Sequence, residues 1–206
     1  MKKTIITISR ETGSGGHSIG KMLADRLGYA FYDKEFVAEV ARETGIDAET
    51  ILQNGEYMAE GAFFERAIGI ALVTRSGKIP YEEIKRVQDG LIRRIAEKGN
   101  CVIVGRGADY ILRNDPRALH VFIHASMDYR VQRVQEKDGL TGQEARIRKE
   151  LEVKDRSRGT YYQYYTDRKW GKVANYHLVL DAGLFGQEQC CEMICGALAY
   201  LNERED

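Results

Sequence analysis

Proline is nearly missing from this chain: two occur in 206 residues, and no Pro/Gly/Ser-rich tract marks an interdomain linker. One α/β unit is therefore expected, long enough to bury a full core. Net charge is missing too. Lys plus Arg and Asp plus Glu stand at 31 each, which argues against a broad basic face and hence against a nucleic-acid partner. No apolar run approaches the ~20 residues that a membrane span requires. The N-terminus enters a β-branched run directly rather than a signal peptide, so a cytoplasmic protein with no membrane partner is expected. Cysteine is scarce and unpatterned. Cys101 opens an apolar run, while Cys190, Cys191 and Cys195 share one C-terminal helical stretch with no histidine nearby. Free thiols are expected there, not disulfides or a metal site.

What is present is a set of short apolar runs, at 4–8, 29–32, 101–105, 119–124 and 176–181. They lack strict alternation, as strands covered on both faces do, and helical segments separate them. That alternation predicts βαβ crossovers and a five-stranded parallel sheet flanked by helices. Between 45 and 98 no strand is expected. Helices are predicted over 60–75 and 80–98, the latter with Pro80 in its first turn and Lys98-Gly99 as stop signals.

The stretch from Thr4 to Ala24 is the most informative. Its β-branched run meets a glycine turn (Gly13, Gly15, Gly16) that opens into an amphipathic helix expected to end near Gly28. Strand, glycine loop and helix aim backbone N–H groups and the positive helix end at an anion. The motif departs from G-x-x-x-x-G-K-[ST]. Gly15 is the second glycine, and Ser18 takes the hydroxyl position of the G-K-G-T variant. The first glycine is Arg10 and the lysine is Gly16, so the cation that normally meets the transferred phosphate is absent from its place.

A second excursion spans 126–172. Thr141-Gly-Gln-Glu144 reads as a capping box. The helix it starts carries Arg146, Arg148, Lys149, Lys154, Arg156 and Arg158, interleaved with acids, and continues into Tyr161–Tyr165. A solvated helix laced with i,i+4 pairs and a mobile lid carrying arginines to phosphates are both compatible with this pattern. The tyrosines suit packing, or stacking on a base.

In their order these parts resemble the cytidylate kinase-like family. The matching segments are Ile8 to Lys21, Phe31-Tyr-Asp33, Val102-Ile-Val-Gly-Arg-Gly-Ala-Asp109 and Lys154-Asp-Arg-Ser-Arg158, with Tyr176 to Asp181 as the last strand. The resemblance implies a P-loop kinase fold with a helical NMP-binding region (33–98) and a lid (137–172). It implies ATP and Mg2+ as cofactors, and phosphoryl transfer to a small nucleotide such as CMP. Gly13, Ser14, Gly15, Gly16, His17 and Ser18 would cradle the donor phosphates, with the Ser18 hydroxyl on the metal. Asp33, Arg106 and Asp109 would face the acceptor. Arg106, Arg156 and Arg158 would carry the phosphate charge during transfer, supported by Arg130 and Arg133. The pattern breaks in places. The Asp-Gly-Arg-Asp motif of true cytidylate kinases becomes Val104-Gly-Arg-Gly107, and their CMP-holding serine and arginine fall on Lys34 and Glu39. A nucleotide-binding module without turnover, or a kinase for another metabolite, is the alternative. Oligomeric state is left open.

Overall fold

Six residues rich in isoleucine and threonine form β1 (Ile5–Arg10), and all six are buried. β-Branched side chains are stiff at χ1 and fit a pleated surface packed on both sides. The computed structural model describes residues 2–33, 35–46, 48, 73–74, 77–78 and 81–204. After β1 come α1 (Gly16–Leu27), β2 (Ala30–Tyr32), α2 (Glu35–Thr44), β3 (Val73–Thr74), β4 (Gly77–Lys78) and α3 (Tyr81–Lys98). Then follow β5 (Cys101–Val104), α4 (Ala108–Ile111), β6 (Ala118–His124), α5 (Met127–Asp138) and α6 (Glu144–Thr166). A 3-10 turn at Val173–Asn175 leads to β7 (Leu178–Asp181), α7 (Ala182–Phe185) and α8 (Gln187–Glu203).

The main sheet has the order β2-β5-β1-β6-β7 with every pair parallel. All five strands predicted from the apolar runs are present, within two residues at each end. Side chains alternate between two cores. Ile5, Cys101 and Ile103 face one side, with Val37 and Val40 of α2 and Ile84, Leu91, Ile92 and Ile95 of α3. Ile6, Ile8, Val102 and Val104 face the other, with Ile19 and Leu23 of α1 and Cys190, Cys191 and Ile194 of α8. Burying each large aliphatic side chain contributes roughly 1.5–3 kcal/mol. The cysteines are free, and burial pushes the Cys101 and Cys191 thiols up to about 11, so they behave as packing groups. Helix α1 stops as predicted at Gly28, whose left-handed φ of 66° returns its N–H to Ala24 O.

Three expectations need correction or fall elsewhere. Residues 73–74 and 77–78 form a short antiparallel pair where no strand was expected, a two-residue ladder too short to leave a period in the sequence. Thr141 does not open a capping box. Gly142 (φ 77°) turns the chain, Gln143 takes the N-cap without a side-chain bond, and Glu144 is the first helical residue rather than the third. The helix predicted at 60–75 lies outside the described residues except for Val73 and Thr74. Among the described residues, no helix is long and apolar enough to cross a membrane.

Two histidines join β6 to the start of β7. Their rings stack at 4.8 Å, His177 Nδ1 accepts from the His120 backbone N–H at 3.0 Å, and Thr7 Oγ1 meets His120 Nδ1 at 2.8 Å. Burial, reinforced by His177, pulls the His120 imidazole down from 6.5 to about 4. The unfolded chain therefore binds this proton more tightly. The stabilising contribution is complete above the unfolded value and is lost as pH falls toward 4, on the order of 3 kcal/mol in all. Urea midpoints measured from pH 7 to pH 4 will fall accordingly in the wild-type protein. The His120→Asn variant will show a clearly flatter decline.

Candidate functional site

The chain leaves the central strand at its carboxyl end, beside β5 on one side and β6 on the other. Ligands of open α/β sheets bind at such a switch in strand order. The turn that follows needs glycine twice. Gly13 (φ 83°) and Gly15 (φ 95°) are left-handed, and a Cβ on either would press within 3.1 Å of Arg130 or 3.0 Å of Gln187. Ser14 is fully buried, and its hydroxyl lies within hydrogen-bonding distance of Glu11 O (2.9 Å) and Ile123 O (3.3 Å). That pins the loop to β6 and leaves Ser14 only its backbone for a ligand. Helix α1 begins at Gly16 with no acidic residue in its first turn, so the N–H groups of Gly16, His17 and Ser18 have no intrahelical partner. They border a cavity of about 330 Å³ shared with Asp33, Arg133, Lys154 and Arg158.

One carboxylate organises this mouth. Asp155 Oδ1, from the middle of α6, accepts from the Thr12 backbone N–H and the Thr12 hydroxyl, both at 2.7 Å. The same side chain pairs with Arg130 of α5 and with Arg158 one turn further along α6. Arg158 also donates to the Thr12 hydroxyl, Arg130 to Thr12 O at 3.2 Å, and Glu11 lies 3.6 Å from Arg130. Two arginines thus face two carboxylates, and the cluster is neutral as it stands. Helix α6 is anchored along its length. Ile147 and Leu151 pack with Val131 of α5, and Tyr161 and Tyr162 are buried further along.

Arg133 reaches the loop from the other direction, donating to Ser18 Oγ at 3.0 Å. His17 Nδ1 lies 2.7 Å from Asp33 Oδ2, and its ring meets Phe31 edge-on at 5.4 Å. The acid at the end of β2 therefore sits beside the phosphate loop. Arg106 and Asp109 lie apart from this cavity, after β5. Gly105, Arg106 and Gly107 are three successive left-handed residues (φ 74°, 59° and 66°). Arg106 is 5 % exposed, and its buried Nε has no hydrogen-bond partner among the described residues. Asp109 accepts from Ser9 Oγ at 3.2 Å and Tyr162 OH at 2.6 Å. Burial raises its pKa despite these bonds. Asp109 thus ties α4 to β1 and α6.

The sequence-predicted residues divide into groups. Gly13, Gly15, Gly16, His17, Ser18, Asp33 and Arg158 come together at one cavity, Ser14 is buried beneath the loop, and Arg106 and Asp109 are buried after β5. Arg156 is exposed and borders neither, because residues two apart on a helix point to opposite sides. Asp155 and Thr12 were not singled out by sequence reasoning. The i,i+3 spacing of Asp155 and Arg158 was a usable signal; nothing in the sequence marks Thr12.

A model of the cytidylate kinase-like family matches residues 5–183. The chain belongs to the cytidylate kinase-like family. A cytidylate kinase of Methanopyrus kandleri is 26% identical over 211 residues, covering 98% of this chain and 96% of that one. One of Archaeoglobus fulgidus is 26% identical over 201 residues, covering 94% and 93%. Among solved structures, an uncharacterized protein from Eubacterium ventriosum superposes with a TM-score of 0.72 at 27% identity, covering 96% of this chain and 99% of that one. A shikimate kinase from Acinetobacter baumannii, solved with shikimate, superposes with a TM-score of 0.52 at 13% identity, covering 96% and 94%. The latter shows the shared P-loop kinase fold.

Within this family member the Asp155 cluster is a structural hinge-pin. Asp155→Ala leaves two buried arginines with Glu11 as the one carboxylate of the cluster. Removing one partner of a buried pair costs about 3–5 kcal/mol, whereas an exposed pair is worth under ~1 kcal/mol. Urea unfolding will place Asp155→Ala far below the wild type. Arg146→Ala, which breaks the exposed contacts of Arg146 with Glu150 and Gln143, will stay within about 0.5 kcal/mol of wild type.

Proposed function

We propose that this protein transfers the terminal phosphoryl group of ATP to a nucleoside monophosphate, CMP foremost. The observation that carries the reading is the row of first-turn amides at Gly16, His17 and Ser18. It faces a cavity that basic side chains from α5 and α6 border on the far side. Phosphoryl transfer asks for in-line positioning and for cations on oxygens that gather charge, rather than for covalent chemistry. The loop supplies the first and the arginines the second. The relatives named cytidylate kinase support CMP as acceptor. The acid at Glu39, which pairs with Arg42 here, leaves room for a different monophosphate.

Each residue has a place in this reading. The amides from Gly13 to Ser18 hold the donor phosphates, and Arg133 orients Ser18. Mg2+ in nucleotide complexes keeps several waters and phosphate oxygens among its ligands. A single protein hydroxyl on the phosphate loop, Ser18 Oγ, fits that sparse donor set. Bound there, the ion would offset charge between the two terminal phosphates. Arg106 waits at the end of β5 with unfilled donor capacity, as a fork for the acceptor phosphate. The 33–98 region would cover the acceptor, and the 137–172 segment would act as the lid. Closing both over the site would exclude water from the transfer.

A second reading is favoured by one observation. Asp155 already holds Thr12, Arg130 and Arg158, so a phosphate must compete with an internal carboxylate for these donors. A nucleotide-binding module without turnover would look the same. Product detection with Mg-ATP against each nucleoside monophosphate separates the two. CDP formed from CMP is the expected result, and ATP binding with no product from any acceptor would establish the second reading. A charge-assisted contact contributes roughly 1.5–3 kcal/mol. Arg106→Ala will therefore raise the KM for the acceptor about tenfold or more, with the KM for ATP little changed.

A further inference from the structure

Arg10 is the last residue of β1, and its Cβ and Cγ lie against the first residue of α1. A Cβ built on Gly16 would fall 2.5 Å from Arg10 Cβ and 2.9 Å from Arg10 Cγ, far inside contact distance. The near part of the Arg10 side chain thus occupies the space from which any side chain at 16 would have to start. Both residues border the same cavity as the rest of the loop. Arg10 is 8 % exposed, so its aliphatic stem is packed while the residue still reaches the cavity wall. Its backbone is held rigidly, since Arg10 stands opposite Ile123 in the sheet and the next residue, Glu11, donates to Ile123 O at 3.0 Å.

In G-x-x-x-x-G-K-[ST] the small residue is first and the cation follows the second glycine. Here the cation is first and the small residue follows. The steric contact explains why both changes occur together: one space admits one long side chain, entering from either position. We propose that Arg10 is the phosphate-binding cation of this loop, entering from the strand end to carry the charge that lysine carries from the helix start. This rests on the reading that the loop binds a nucleotide triphosphate. A guanidinium suits the role because its planar fork holds two phosphate oxygens and remains charged at every physiological pH.

Four proteins test it: wild type, Arg10→Gly, Gly16→Lys and the double variant Arg10→Gly/Gly16→Lys. ATP and inorganic tripolyphosphate are titrated calorimetrically, with urea midpoints measured in parallel. Arg10→Gly is expected to weaken both ligands about tenfold to a hundredfold, the range of a charge-assisted contact, with a cooperative unfolding transition retained. Gly16→Lys alone is expected to lower the urea midpoint, because its Cβ meets Arg10. The double variant is expected to recover both stability and affinity relative to that single variant, and to bind more tightly than Arg10→Gly. Arg10→Lys, which keeps a cation on the same stem but loses the fork, is expected to fall between wild type and Arg10→Gly. Wild-type affinity in a folded Arg10→Gly, or a double variant no tighter than Arg10→Gly, overturns the inference while the nucleotide reading stands. Failure of the wild-type protein to bind either ligand overturns both.

Discussion

The Asp155 carboxylate is the interaction on which the mouth of this molecule depends. It joins the loop after β1 to two consecutive helices much further along the chain, α5 and α6. Without it, two buried guanidinium groups would be left with Glu11 as the one carboxylate of the cluster. With it, the middle of a 23-residue helix is fastened to the first residues of the glycine turn. Motion of α6 relative to the sheet must therefore be coupled to whatever occupies the turn. An anion bound at Thr12 would compete with Asp155 for the same donors.

The sheet explains why the turn is so well placed. β1 lies in the middle, flanked by parallel strands whose side chains feed two separate cores. Its last residue cannot drift without disturbing both. A loop anchored on such a strand presents its amides at fixed positions, and that preorganisation is what an electrostatic site requires. The cost is borne in glycine: positions 13 and 15 are left-handed, and a Cβ at either would also press on Arg130 or Gln187.

Much of this was legible beforehand. Short unalternating apolar runs and the Gly28 stop identify the strands and α1, because burial on both faces and a left-handed terminus each leave a local mark. Less local features were not legible. The two-residue pair at Val73 and Gly77 is shorter than any periodicity. The Thr141 box failed because Gly142 diverts the backbone before the helix begins, and a motif of four letters carries no φ angles. Arg156 and Arg158 looked equivalent until helical geometry separated them, although the 3.6-residue period contained the answer. Thr12 acquires its role only through a partner 143 residues away, and no pattern within the loop could announce that.

Arg106 has a consequence of another kind. A non-glycine residue in the left-handed region costs roughly 1–2 kcal/mol, and here it also buries a cation whose Nε has no hydrogen-bond partner among the described residues. The fold bears both burdens at a position flanked by glycines that would accept a third. Replacement by glycine would relieve both at once, so drift under selection for stability alone runs toward Gly105-Gly-Gly107. Lineages relieved of the demand for a guanidinium at this corner are expected to shed it early, leaving a sturdier molecule with an unaltered silhouette. On the proposed function, the arginine would be a register of current use, kept against the grain of the backbone.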